Sequence, residues 1–212
     1  MLRYLDVQNI LDKNDLILQE SGCVGSENER GNTYMKKIGI VTDSHSSISQ
    51  EEAEKLGIFV LPMPFYIDGE CYYESVTLSR ELFFEKLAAG ADITTSQPSP
   101  AAVMEIWDKA LEQFEKILYL PISSGLSGSY ETAMMLAKDE AYEGRVLVVD
   151  DGQVAAPLHQ MVLDTLDMIK KGYEAEQIRD LLERAGDRMM IYIALQTLAV
   201  SYTHLRAHET GA

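Results

Sequence analysis

The segment "KKIGIVTDSHSSIS", residues 36–49, decides the fold. Lys37 to Thr42 is a continuous apolar run rich in branched residues, which is typical of a strand buried on both faces. A loop rich in hydroxyl groups follows it, and "SQEEAEKLG" then has the signals of a helix, with Ser49 as its cap and Gly57 as its stop. This order of a buried strand, a polar loop and a helix predicts the first unit of a parallel α/β sheet.

The same alternation continues along the chain. Ile58 to Ile67 is predicted to form a second strand, and Asp68-Gly69 a tight hairpin turn into Cys71 to Glu74. Further helices are predicted at "SRELFFEKLAAG", after "TTSQPSP", after "SGLSGS", up to Gly172 and at "EAEQIRDLLERAG"; further strands are predicted at "KILYLPIS", "RVLVVDD" and "MMIYIAL". Strands that alternate with helices of this length predict an α/β fold with parallel strands and right-handed crossovers.

The two ends of the chain differ from this middle part. Residues 1–34 are polar and end in the linker-like "GSENERGNTY", so Met35 is the expected natural start, with a real N-terminal helix at "YLDVQNILDKNDLIL" as the alternative. Residues 199–212 break the rhythm and resemble translated adaptor sequence. His204 and His208 lie there at a spacing that suits metal ligands, but no third ligand is placed, and no metal site is predicted.

Composition excludes several classes of partner. The formal net charge of -16 argues against nucleic acid, whose phosphates call for a basic surface. Two distant cysteines, Cys23 and Cys71, do not form a disulfide framework or a metal motif. The chain shows no signal peptide and no apolar run of membrane-spanning length, so we expect a soluble, cytoplasmic protein with at most transient membrane contact.

Three loops rich in hydroxyl groups and glycine are predicted to lie at equivalent positions of one sheet, at the carboxyl ends of its strands: "TDSHSSIS" (42–49), "TTSQPSP" (94–100) and "SSGLSGSY" (123–130). Ligands of a parallel sheet bind where such loops gather, at the carboxyl ends of the strands. Hydroxyl donors, backbone N–H groups and helix N-termini together bind an anion without a formal positive charge. Each loop taken singly is equally explained as a turn and a cap, with Ser99 capping a helix that starts at Pro100.

Catalytic interpretations find little support. "GLSGS" misses the G-x-S-x-G motif by its last residue, and His159 is the only later histidine outside the tail. The glycine motifs of nucleotide-binding proteins are absent. Asp43, at the end of the first strand, is either a catalytic residue or an acceptor of hydrogen bonds from backbone N–H groups of the loops. The second role is favoured.

The segments "KIGIVTDSHSSIS", "VLPMPFYIDGECYYE", "TTSQPSPAAV" and "LPISSGLSGSYETAMMLA" resemble the DegV family in their order and spacing over residues 36–198. The resemblance implies an N-terminal α/β domain over 35–152 and the start of a second, C-terminally truncated α/β domain over 153–198. It further implies binding of a long-chain fatty acid, with no other cofactor, and presentation of the carboxylate to a separate fatty-acid kinase, with no catalysis by this chain.

The resemblance also assigns residues. Ser96 would hydrogen-bond the carboxylate with Thr95 beside it, and Asp43 and Ser44 would shape the neighbouring loop. Four residues would line the head-group end: Ser123, Ser124, Ser127 and Gly128. An apolar channel would take the acyl chain, and Phe65, Ile67, Met134 and Met135 are candidates for it, or are plain core.

Some positions depart from the family pattern. Pro64 stands at the fatty-acid site where many members have a hydroxyl residue, and Asp151 and Ala155 or Ala156 replace usual serines. These changes put the head-group specificity in doubt. Two alternatives therefore stay open: a phosphotransferase or hydrolase that uses the "SSGLSGS" loop, and a regulatory module that senses an anion or a lipid.

Overall fold

The computed structural model describes residues 36–73, 76–186 and 188. The extension at residues 1–34, Met35, the predicted strand "MMIYIAL" and the tail with His204 and His208 lie outside the described residues. In chain order the elements are β1 (Lys36–Asp43), α1 (Gln50–Leu56), β2 (Phe59–Leu61), β3 (Pro64–Ile67), β4 (Glu70–Tyr73), α2 (Arg80–Ala88), β5 (Ile93–Thr95), α3 (Pro100–Leu111), β6 (Phe114–Leu120), α4 (Ser129–Leu136), β7 (Val146–Val148), α5 (Ala156–Lys170) and α6 (Ala175–Gly186).

A four-stranded parallel sheet forms the centre of the described chain, with the strand order β2-β1-β6-β7. In its register Val41 lies opposite Tyr119 and Thr42 opposite Leu120. The hydroxyl of Thr42 donates to the carbonyl of Leu120 at 2.8 Å, which adds a side-chain bond to the ladder. The prediction of an α/β fold with a parallel sheet is confirmed.

The helix starts predicted from serine positions are confirmed. Ser49, Ser79 and Ser99 each accept a hydrogen bond from a backbone N–H three residues later, at 3.1, 3.3 and 3.2 Å. Each bond satisfies one of the N–H groups that a helix leaves unpaired at its first turn. Pro100 occupies the first turn of α3, where its missing N–H costs nothing.

The prediction of one strand over Ile58 to Ile67 is wrong. This stretch forms two strands in different sheets: β2 belongs to the parallel sheet, and β3 to a three-stranded antiparallel sheet of order β4-β3-β5. Pro62 and Pro64 have no N–H to donate, so the ladder of β2 cannot continue through them. The predicted hairpin turn is present, with positive φ at Asp68 (51°) and Gly69 (84°).

Helices cover the parallel sheet. Trp107 of α3 is fully buried with Val41, Tyr119 and Val148, and its ring centroid lies 5.5 Å from that of Tyr119. Side chains alternate between the two faces of a sheet along each strand, so the residues next to Val41, Tyr119 and Val148 face away from α3. Helix α5 contacts β1, and α6 contacts β6 and β7. Their buried residues include Leu158, Met161, Ile178 and Leu182.

Gly39, in the middle of β1, allows the ring of Phe114 to pack directly on the backbone. A Cβ atom at this position would lie 2.6 Å from two ring carbons of Phe114, closer than carbon atoms approach one another. Phe114 is itself buried in the core and cannot move away freely.

We expect Gly39→Ala to lower the free energy of unfolding by about 1–3 kcal/mol, because the added methyl group forces the packed ring to shift. Chemical denaturation of both proteins measures the change. The double variant Gly39→Ala with Phe114→Leu is the control, since the smaller side chain leaves room and the two costs should then not add. A Gly39→Ala protein as stable as the wild type would contradict this packing.

Candidate functional site

Asp43 connects two loops at the carboxyl edge of the parallel sheet. It is completely buried at the end of β1. Its Oδ1 accepts from the backbone N–H of His45 at 2.9 Å, and its Oδ2 accepts from the backbone N–H of Ile122, after β6, at 2.8 Å. Each carboxylate oxygen therefore holds a different loop, an arrangement that suits the predicted loop-shaping role of Asp43.

Ser44 extends this arrangement toward the antiparallel sheet. Its hydroxyl oxygen accepts from the backbone N–H of Met63 at 3.1 Å, at the point where the chain leaves β2 for β3. Ser46 Oγ donates to the carbonyl of Asp43 at 2.8 Å. The loop after β1 thus fixes the crossing between the two sheets.

We call residues 123–128, between β6 and α4, the serine loop. The N–H of Ser123 donates to the carbonyl of Gln153 at 2.9 Å, and the N–H of Ser124 donates to Asp150 Oδ1 at 3.3 Å. Within the loop, Ser127 Oγ lies 2.8 Å from Ser129 Oγ and accepts from the N–H of Ser129 at 3.2 Å. The hydroxyl groups of this loop are held at the start of a helix.

Helix α4 begins without a side-chain cap, because its N-cap residue is Gly128. A Cβ atom at Gly128 would lie 3.4 Å from Gln97 Oε1, so the glycine lets the second predicted loop come close. Gln97 Oε1 also accepts from the hydroxyl of Thr132 in α4 at 3.2 Å. Gln97 therefore brings the segment that contains Ser96 to the N-terminal end of α4.

The prediction that three loops occupy equivalent positions of one sheet is wrong. Thr94 and Thr95 form the end of β5, which pairs antiparallel with β3. Ser96 follows this strand, and its N–H donates to the carbonyl of Pro64 at 3.4 Å. The β-branched run Ile93-Thr94-Thr95 was the signal for a strand, and the turn-forming residues after it obscured that signal.

The residues predicted to bind the carboxylate divide into two groups. Thr95 and Ser96 are exposed. Pro64 is half-buried, and its carbonyl accepts from the backbone N–H of Ser96. In the serine loop, Ser123 is buried, Ser124 and Ser127 are half-buried and Gly128 is exposed.

The candidates for the acyl channel do not share one environment. Ile67 is buried and Met134 packs against the core of the parallel sheet, whereas Met135 is 74% exposed. Phe65 stacks on Tyr72 and meets Phe83 of α2 edge-on, with centroids 6.0 and 5.6 Å apart. A separate apolar groove of about 550 Å³ runs along β2 between α1 and α3, and none of the predicted site residues lines it.

The sequence had marked Asp151 only as a departure from the family pattern, and its burial was not expected. Asp151 is completely buried after β7, and this burial raises the pKa of its carboxyl to about 7. Its Oδ1 accepts from the N–H of Gln153 at 2.9 Å, while no donor among the described residues reaches its Oδ2. In the sequence, the only indication of a buried carboxyl group here was that the Asp150-Asp151 pair directly follows an apolar strand.

Two features are absent from the described residues. No group of three histidine, cysteine, aspartate or glutamate side chains there is placed to hold a metal ion. None of the described helices has the length and apolar character needed to cross a membrane.

Comparison with known proteins identifies relatives. The family model described as "Uncharacterised protein, DegV family" matches residues 37–200. A DegV domain-containing protein of Caldanaerobacter subterraneus is 34% identical over 176 residues, which cover 83% of this chain and 62% of that protein. A DegV domain-containing protein of Deinococcus radiodurans is 35% identical over 162 residues, covering 76% of this chain and 57% of the relative.

Solved structures agree with these relatives. A DegV family protein from Thermus thermophilus, described as binding fatty acid, is 33% identical with a TM-score of 0.65. The match covers 71% of this chain and 54% of the Thermus protein. A Thermotoga maritima protein, described as revealing a fatty acid binding function, is 25% identical with a TM-score of 0.62. The match covers 70% of this chain and 55% of the Thermotoga protein. The chain thus spans somewhat more than half the length of these proteins. The family model, the sequence relatives and the shared fold together show that this chain belongs to the DegV family.

Proposed function

We propose that this chain binds a long-chain fatty acid and holds its carboxylate between Ser96 and the serine loop. The observation that carries the proposal is the contact of Gln97 with Gly128 and Thr132, which places the Ser96 segment at the uncapped start of α4. The fatty-acid-binding relative from Thermus thermophilus, at 33% identity, supports the same ligand class.

The donors at this place suit a carboxylate. Hydroxyl groups and the N–H groups of a helix start donate to an anion, and the helix dipole favours negative charge there. Ser96 supplies an exposed hydroxyl, with Thr95 beside it, and Ser124 and Ser127 supply half-buried ones from the facing loop. Pro64 supplies no donor, so Ser96 carries more of the binding on its side.

The alternative of a hydrolase or phosphotransferase requires a base beside a serine of the loop. The described residues contain two histidines, and each faces a carboxylate. His45 Nδ1 lies 3.2 Å from Asp43 Oδ1, and His159 Nε2 lies 3.2 Å from Glu52 Oε1. A serine nucleophile needs a base within hydrogen-bond reach of its hydroxyl, and the ion-pair contacts of the two histidines with Asp43 and Glu52 give that role no support. Binding and presentation to a separate fatty-acid kinase is the function that these groups support better.

Ser96→Ala is expected to lose bound fatty acid without losing stability, because its exposed hydroxyl bonds only to the carbonyl of Gln97. Ser99→Ala is the matched control. It removes the cap of α3 and should cost about 1 kcal/mol of stability while the fatty acid stays bound. Native mass spectrometry with lipid extraction measures the ligand, and thermal unfolding measures the stability.

Loss of the fatty acid in the Ser99→Ala protein but not in the Ser96→Ala protein would contradict the proposed site. A wild-type chain that neither carries a fatty acid nor takes up added palmitate would contradict the proposed function itself.

Acyl-phosphate formation tests the carrier role. Incubation of the chain with palmitate, ATP and Mg²⁺ should yield acyl-phosphate only when a fatty-acid kinase is also present, because the sequence has no glycine-rich motif that would hold the phosphates of ATP. Trapping the product with hydroxylamine as the hydroxamate provides the measurement. Hydroxamate formed by the chain alone, and lost in Ser124→Ala or Ser127→Ala, would favour the enzyme.

A further inference from the structure

The segment at residues 150–155, which we call the Asp151 loop, supports the serine loop from behind. Asp150 Oδ1 accepts from the N–H of Ser124 at 3.3 Å, and the carbonyl of Gln153 accepts from the N–H of Ser123 at 2.9 Å. At its other end, the N–H of Ala155 donates to the carbonyl of His45 at 2.7 Å. The Asp151 loop therefore contacts the backbone of the serine loop, on one side of the proposed carboxylate site, and that of the loop after β1.

Two acceptor oxygens in the Asp151 loop are buried without a donor. Asp151 is 0% exposed and Gln153 is 1% exposed, and no donor among the described residues reaches Asp151 Oδ2 or Gln153 Oε1. An ionised carboxylate in this state loses its hydration without replacement, which is costly. The neutral acid avoids that cost. With the proton on Asp151 Oδ2, the loop gains one O–H donor, and Gln153 Oε1 is the other oxygen there without a donor.

The surrounding backbone leaves this carboxyl group little freedom to reach water. A Cβ atom at Gly186, the last residue of α6, would lie 2.1 Å from the carbonyl oxygen of Asp151, so the helix end is pressed against the loop. Ala155 has φ 56° and ψ -132°, a conformation that is strained for a residue with a side chain. A strained, covered loop is held in place by its neighbours.

The charged groups around Asp151 are predominantly acidic. Asp150 on its own loop and Asp43 from the end of β1 both raise the pKa of its carboxyl, in addition to burial. On α6, Asp180, Glu183 and Arg184 line one pocket with Asp150, and Arg179 lies near Glu183. His45, from the turn after β1, faces Asp43. An anion bound by the adjacent serine loop adds one more negative charge to this group.

We propose that Asp151 is a positioning residue that couples anion binding at the serine loop to the uptake of one proton by its own carboxyl group. The inference rests on the proposed function and adds its regulation by pH. A bound carboxylate favours neutral Asp151, and by reciprocity neutral Asp151 favours the bound carboxylate. Above neutral pH the ionised Asp151 repels the ligand and strains the loop that holds Ser123 and Ser124.

The test is calorimetric titration of the chain with decanoate between pH 6.5 and pH 8.5. The ligand stays ionised across this range, so its own titration does not contribute. We expect binding about sixfold weaker at pH 8.5 than at pH 6.5, which corresponds to a rise of about one unit in the pKa of Asp151 on binding. Repeating the titration at pH 7.5 in two buffers with different ionisation enthalpies, HEPES and Tris, should show uptake of about half a proton per decanoate.

Asp151→Asn removes the titrating group and keeps its shape, so both the pH dependence and the proton uptake should disappear. Asp151→Ser is a second variant with the same expectation should the amide disturb the loop. Asp167→Asn is the matched control, because Asp167 is an exposed aspartate of α5 paired with Lys170. It should behave as the wild type does.

The ligand-free protein gives an independent measurement. Because the folded-state pKa of Asp151 is raised above that of the unfolded chain, its contribution to stability is present at low pH and is lost as the pH rises through about 7. The wild type should therefore lose stability relative to Asp151→Asn between pH 5 and pH 8, as followed by denaturant unfolding.

The outcomes separate the two proposals. Decanoate binding with unchanged proton uptake in Asp151→Asn would assign the proton to another group, such as His45, and would overturn only the inference about Asp151. Absence of binding of both decanoate and palmitate at every pH in every variant would overturn the proposed function and this inference with it.

Discussion

The arrangement of the site depends on one buried carboxylate, Asp43, whose two oxygens bind backbone N–H groups of different loops. Removing one partner of a buried charged hydrogen bond leaves the other group without compensation, which costs more than an ordinary hydrogen bond contributes. The loop after β1 and the loop after β6 are therefore fixed relative to each other. Ser44, in the first of these loops, binds the backbone of Met63 where the chain enters the antiparallel sheet. Ser123, in the second, binds the carbonyl of Gln153 in the Asp151 loop.

Charge alone would make this chain a poor binder of anions, since its net charge is -16 and carboxylates lie behind the proposed site. In the proposed complex, burial of the acyl chain of the fatty acid would outweigh that effect. Burial of each methylene contributes about 0.8 kcal/mol, so a long chain gains on the order of 10 kcal/mol before entropic costs. A repulsion between separated charges near the surface costs about 1 kcal/mol and is screened by salt. The protein needs only enough neutral donors to hold the carboxylate in one orientation.

Local signals in the sequence predicted much of the fold. Serine caps, positive-φ glycines and apolar runs act over a few residues, and the helices at Ser49, Ser79 and Ser99 begin where the sequence placed them. The division of Ile58 to Ile67 between two sheets was not predicted, because strand pairing depends on distant partners: β5 completes the second sheet some 30 residues later. The same limit applies to the site. The hydroxyl-rich segments were recognised, but their meeting through Gln97 is a tertiary contact that no local pattern encodes.

The serine loop shows how hydroxyl groups can be arranged for binding without catalysis. Ser123 Oγ accepts from the N–H of Gly125, and Ser127 Oγ accepts from the N–H of Ser129. A hydroxyl that accepts from the backbone keeps its own proton to donate, and such a proton suits an anion. A nucleophile has the opposite need, because its proton must go to a base. In this loop the hydroxyl oxygens of Ser123 and Ser127 accept from backbone N–H groups rather than donating to a base, which suits the proposed carriage of a carboxylate better than nucleophilic attack.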